Sequence, residues 1–99
     1  MRAEAEAVAA LIDAVGTILA IGDRPLRIGT QPSCDVVVRA AARFEARVWR
    51  NKNRVLLHAL GEPGLVLVNG QSATWAVLTD GDTIAVGPAS FSFGAPKAT

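Results

Sequence analysis

Leu26-Arg27-Ile28-Gly29-Thr30-Gln31-Pro32-Ser33-Cys34-Asp35-Val36-Val37-Val38 is the stretch whose reading decides the fold. Leu26 and Ile28 alternate with Arg27, the period of a half-buried strand. Val36, Val37 and Val38 are three β-branched residues in a row, stiff at χ1 and suited to extended backbone. Gly29 to Cys34 must then be a loop between two strands. Such a loop can face a ligand while the strands hold it in place.

Working outward, the same alternation of short apolar runs and turn signals continues. Upstream, Gly22-Asp23-Arg24-Pro25 is a turn by composition, preceded by the strand Thr17 to Ile21. Residues 1–15 read in two ways. Their Ala content, Glu4 and Glu6 near the start and Gly16 at the end suit a short N-terminal helix. Alternatively, a strand around Ala10 to Ala14 turns at Val15-Gly16 into Thr17 to Ile21. Downstream, Arg39 to Glu45 reads as irregular. Ala46 to Arg50 and Arg54 to Leu60 form a hairpin over Asn51-Lys52-Asn53, where Asn tolerates positive φ. Gly61 to Gly64 is a loop and Leu65 to Val68 an apolar strand. Asn69-Gly70 is a strong turn dipeptide. Thr74 to Leu78, Thr83 to Val86 and Phe91 to Phe93 are strands, with Asp80-Gly81-Asp82 turning between the first two. Short strands with turn signals every eight to twelve residues indicate an all-β sandwich or barrel.

Composition sets the bounds. Ninety-nine residues, 51% of them hydrophobic, make one domain, with its core over about 10–94 and a flexible polar tail at 95–99. The Met1 start fits a small complete protein or the first domain of a longer one. A net charge of +1 gives no general attraction to nucleic acid or membrane. Yet Arg24, Arg27, Arg39, Arg43, Arg47, Arg50, Lys52 and Arg54 face only Asp35 and Glu45 in the same stretch. This is either a solvated face or a surface for an acidic partner. As a nucleic-acid site it is poor, because only Phe44 and Trp49 interleave with the cations. One cysteine, Cys34, excludes an internal disulfide and fits a reducing, cytoplasmic setting. One His and one Cys leave no metal-ligand cluster, and no glycine-rich nucleotide cradle is present, so no cofactor is expected. No nucleophile, base and orienting group can be assembled, so an enzyme is not expected. Ala7 to Ile21 is too short and interrupted to span a bilayer.

Individual residues have plain readings. Cys34 packs as a small hydrophobe. His58 takes a solvent-facing strand position. Asp80 and Asp82 shape a turn. Trp49 and Trp75 cover sandwich edges or core, whereas an exposed Trp would mark a contact surface. Gly29 and Gly87 sit where strands bend.

The order of these signals resembles the forkhead-associated (FHA) domain, a β-sandwich of two mainly antiparallel sheets that reads phosphothreonine peptides. Ile28-Gly29 followed by Cys34-Asp35-Val36-Val37-Val38 is similar to its first signature. Ala42-Arg43-Phe44-Glu45-Ala46 stands where the family has Ser-Arg-x-His-Ala. Val68-Asn69-Gly70 is similar to its Val-Asn-Gly turn. Leu78 to Gly87 is similar to its terminal Leu-x-x-Gly-Asp-x-Ile-x-x-Gly, through Gly81, Asp82 and Gly87. The family frame favours the strand reading of the N-terminal stretch. It also places the ligand-facing loops at Thr30, at Ala42-Arg43 and, counting back from Asn69, at Gly64-Leu65.

At those positions the sequence departs from the family. Thr30 replaces the phosphate-binding Arg, Ala42 the hydroxyl-bearing Ser, Glu45 the loop-bracing His, and Leu65 follows Gly64 where the family has Asn-Gly. Losing one charge-assisted and one neutral hydrogen bond costs on the order of 3–4 kcal/mol, about a thousandfold in affinity. The resemblance therefore implies a non-enzymatic protein-interaction module without the usual phosphothreonine recognition. The alternative is a phosphopeptide reader rewired onto Arg43 and Arg47. Either way the partner is a protein, phosphorylated or acidic. Oligomeric state is not legible.

Overall fold

The computed structural model describes residues 9–94. Among the described residues there is no helix, and eleven strands form two sheets. β1 (Ala10–Asp13) and β2 (Ile18–Ala20) make the first hairpin. β3 (Leu26–Gly29) and β4 (Val36–Val37) follow. β5 (Phe44–Asn51) and β6 (Arg54–Gly61) form the long central hairpin. β7 (Val66–Val68), β8 (Gln71–Ser72), β9 (Trp75–Leu78), β10 (Thr83–Val86) and β11 (Ala89–Gly94) complete the chain. One sheet has the order β2-β1-β11-β10-β7-β8, the other β4-β3-β5-β6-β9. Every pairing is antiparallel except β3 with β4.

The period-2 pattern explains the sandwich. Leu11, Ile84, Val86, Phe91 and Phe93 of the six-stranded sheet and Ile28, Ala46, Val48, Leu57 and Leu78 of the five-stranded sheet form one buried cluster. Each fully buried Leu or Ile contributes about 1.5–3 kcal/mol by leaving water. Ser90 and Ser92 alternate outward, which is why Phe91 and Phe93 both point in.

Two turns are locked to each other. Asn69 and Gly70 both take positive φ, 52° and 82°, closing β7 onto β8. The Asn69 side chain then ties the Leu78-to-Gly87 segment down. Its Nδ2 donates to Asp82 Oδ1 at 2.9 Å, and its Oδ1 accepts from the Thr83 N–H at 2.9 Å. Asp82 also accepts from the Thr79 N–H at 2.8 Å. These bonds hold its carboxyl below the usual range, the Thr79 N–H foremost. Asp80 and Asp82 thus belong to a turn.

Of the two readings of the N-terminal stretch, residues 10–13 follow the favoured strand, because they complete the sheet beside β11; residues 1–8 and the tail at 95–99 lie outside the described residues. The structure corrects several other expectations. Phe44 and Glu45 are strand rather than irregular, held by pairing with Gly29 and with Leu60-Gly61. The residue with positive φ in the central hairpin is Lys52, at 61°, not an Asn. The short β8 was not anticipated, nor was the parallel pairing of β4. Trp75 neither enters the core nor caps it: it stands 59% exposed on an edge strand.

Candidate functional site

The loop after β3, the start of β5 and the end of β6 converge because the register brings them together. Gly29 lies opposite Glu45, and Glu45 opposite Leu60. Between them lies an open groove of about 180 Å³ lined by Thr30, Gln31, Arg43, Phe44, Glu45, Leu60 and Gly61. Gly29 is required by this approach: a Cβ there would lie 2.6 Å from the Phe44 carbonyl oxygen and 2.8 Å from the Glu45 Cα. A Cβ at Gly87, whose φ is +58°, would overlap the Phe44 ring from the other sheet.

Thr30 faces the groove, but its hydroxyl is engaged. Oγ1 accepts from the Phe44 N–H and donates to the Phe44 carbonyl, both at 3.3 Å, while the Thr30 N–H donates to that carbonyl at 3.1 Å. Arg43 lines the groove from an exposed position. Ala42 is half-buried and brings no hydroxyl. Gly64 and Leu65 are not among the lining residues. Gly64 is an exposed turn residue with φ +92°, and Leu65 packs against the core. Leu60 and Gly61 line the groove instead of Gly64 and Leu65, which the count back from Asn69 had placed there.

Glu45 is 7% exposed, and its charge is met from both sides. Arg27 grips it bidentately, Nε to Oε2 at 2.8 Å and a terminal nitrogen to Oε1 at 3.0 Å. Arg47 Nε donates to Oε2 at 2.6 Å. Arg27 and Arg47 are direct cross-strand partners, a like-charge pair that only Glu45 makes tolerable. The Arg27 hydrogen bonds are the main cause that holds the Glu45 carboxyl at about 2, and Arg47 adds to it against the cost of burial. Glu45 raises the Arg27 pKa in return. Cys34 Sγ lies 3.8 Å from Glu45 Oε1. Burial, then the Glu45 charge, push its thiol pKa up, so it is neither activated nor exposed. Asp35 supports the loop, accepting from the Arg27 N–H at 2.9 Å.

The Arg27–Glu45–Arg47 cluster escaped the sequence reading. The available signal was Arg27 two residues before Gly29, which an antiparallel register centred on Gly29 and Glu45 places beside Arg47. No group of three or more His, Cys, Asp or Glu suited to a metal ion occurs among the described residues. No helix there is long and apolar enough to cross a membrane.

No family model matches the sequence, and no curated protein does. Solved structures do. EmbR of Mycobacterium tuberculosis, in complex with a low affinity phosphopeptide, aligns at TM-score 0.79 with 26% identity, over 94% of this chain and 26% of that one. The chain thus spans about a quarter of that relative. The FHA domain of CT664 from Chlamydia trachomatis aligns at 0.72 with 19% identity, over 91% and 99% of the two chains. The FhaA FHA domain complexed with the intracellular domain of Rv3910 aligns at 0.72 with 18% identity, over 86% and 98%. The chain has the FHA fold: an all-β sandwich of two mainly antiparallel sheets.

Proposed function

We propose that this chain is a non-enzymatic, cytoplasmic protein-interaction module on an FHA scaffold, one that does not read phosphothreonine in the way usual for the family. The neighbours supply the class of partner: EmbR is complexed with a phosphopeptide and FhaA with a protein domain. The observation that carries the departure is the state of the groove. Thr30, which the sequence resemblance sets at the family's arginine position, has its hydroxyl spent on Phe44, Ala42 has none to offer, and Glu45 holds Arg47 at 2.6 Å. A phosphate dianion would meet Arg43 there, with Glu45 already satisfied by Arg27. One exposed cation beside Leu60 and Phe44 suits an acidic or apolar protein segment better than a phosphate.

The rewired reading draws support from Arg43, which lines the groove, and loses it from Arg47, which Glu45 occupies. Titration against a phosphothreonine peptide library distinguishes the two. The proposal expects no phosphate-dependent binding in the micromolar range. Micromolar binding that requires the phosphate refutes it, and its loss in Arg43→Ala would then establish the rewired pocket.

A further inference from the structure

The five-stranded sheet ends at β9, and no strand among the described residues pairs with its outer edge. The register and the Ala59 N–H bond to the Thr74 carbonyl, 2.8 Å, decide which way each backbone group points. Thr74, Ala76 and Leu78 bond to β6, so Trp75 and Val77 direct their N–H and C=O groups outward. These same two residues carry exposed side chains, Trp75 at 59% and Val77 at 52%, on the open face of the sheet. There Trp75 stacks on His58, centroids 3.9 Å apart and planes 12° apart, and meets Trp49 edge-on at 6.0 Å. The chain is uncharged from Gln71 to Thr79. None of the usual guards of an exposed edge, a Lys, a Pro or a bulge, occurs in β9. The other free edges, β2, β4 and β8, are two or three residues long. Beside β9 runs an open trough of about 700 Å³, walled on its far side by Gln71 and Ser72 of β8.

We propose that β9 is a self-association edge, and that two copies pair antiparallel about a two-fold axis at Ala76 to form one ten-stranded sheet. A second copy fits for three reasons. In this register Trp75 lies opposite Val77 of the other copy, so the two outward donors and two outward acceptors of each strand are all satisfied, in four hydrogen bonds. The same register sets the exposed indole of each copy against the exposed valine of the other, closing both apolar surfaces at once. The neutral stretch from Gln71 to Thr79 lets identical edges meet without repulsion. The contact is small. Trp75 contributes on the order of 150 Å² per copy, and the whole falls below the ~1,200 Å² of a standard interface, so association is weak. The inference uses residues other than those of the Thr30–Gly61 groove and does not depend on what that groove binds.

Sedimentation velocity of the chain from low micromolar to several hundred micromolar tests it, alongside Val77→Lys and Ala76→Cys. The proposal expects a concentration-dependent dimer that Val77→Lys abolishes while the variant keeps its circular dichroism. It also expects Ala76→Cys to form a disulfide-linked dimer under mild oxidation. Opposed residues of a non-hydrogen-bonded pair stand about 4.5 Å apart at Cα, within disulfide reach. The unmodified chain, whose Cys34 is buried, does not cross-link. The cross-link reads the pairing even if Val77→Lys fails to fold. A monomer at every concentration overturns the proposal, as does a dimer with no cross-link at residue 76. Protection of the Trp75 and Val77 amides from exchange only when an unrelated strand peptide is added also overturns it, in favour of a foreign strand.

Discussion

Replacing Glu45 by Gln keeps its volume and removes the one charge that reconciles Arg27 with Arg47. The wild-type carboxyl is depressed from 4.5 to about 2, a difference that corresponds to about 3 kcal/mol of preference for the ionised form in the folded state. Arg27 and Arg47 keep 32% and 44% of their side-chain surface in water, so solvent screening reduces the loss to about 2 kcal/mol. At neutral pH the variant should therefore unfold at a urea concentration lower by roughly 2 M, taking a slope of about 1 kcal/mol per molar for a chain of this size. The pH dependence gives the second half of the test. A carboxyl depressed by folding stabilises fully above 4.5, and this contribution is lost as pH falls toward 2. The gap between wild type and Glu45→Gln should close over that window, because the wild-type carboxyl becomes neutral as well. A neutral-pH shift under about 0.5 M, or a gap undiminished near pH 2, would refute the reasoning.

Two further predictions concern the groove. Gly29→Ala places a methyl 2.6 Å from the Phe44 carbonyl and 2.8 Å from the Glu45 Cα. Since both are backbone atoms of a central strand, the cost should reach about 2–3 kcal/mol in a urea melt, and an unchanged midpoint would contradict the packing. Thr30→Arg with Ala42→Ser should create phosphate-dependent peptide binding measurable by calorimetry. It should also cost about 1 kcal/mol of stability from the lost Thr30 bonds to Phe44. No gain in binding would show that the groove is not equivalent to the family's pocket.

Local chemistry settled the features whose cause is local. Asn69-Gly70 turns because those two residues accept positive φ. The alternation of Ser90, Phe91, Ser92 and Phe93 chose an inner and an outer face, and Leu26 to Gly29 was a strand whatever lay beside it. The motif order from Ile28 to Gly87 was enough to name the sandwich. Other features depended on partners distant in the chain. Composition left Ala10–Asp13 open between helix and strand until β11 supplied a neighbour. Phe44 and Glu45 looked irregular until Gly29 and Gly61 paired beside them. Glu45 read as a lost histidine, yet register with Arg27 makes it the neutralised centre of a three-residue cluster. Trp49, His58 and Trp75 lie on three strands and meet only because β5, β6 and β9 are adjacent in one sheet. A sequence determines period and turn within a few residues, because those depend on sterics and hydration of neighbours along the chain. Which side chains face one another is set by strand order and register, and those come from burying both sheets against a single core.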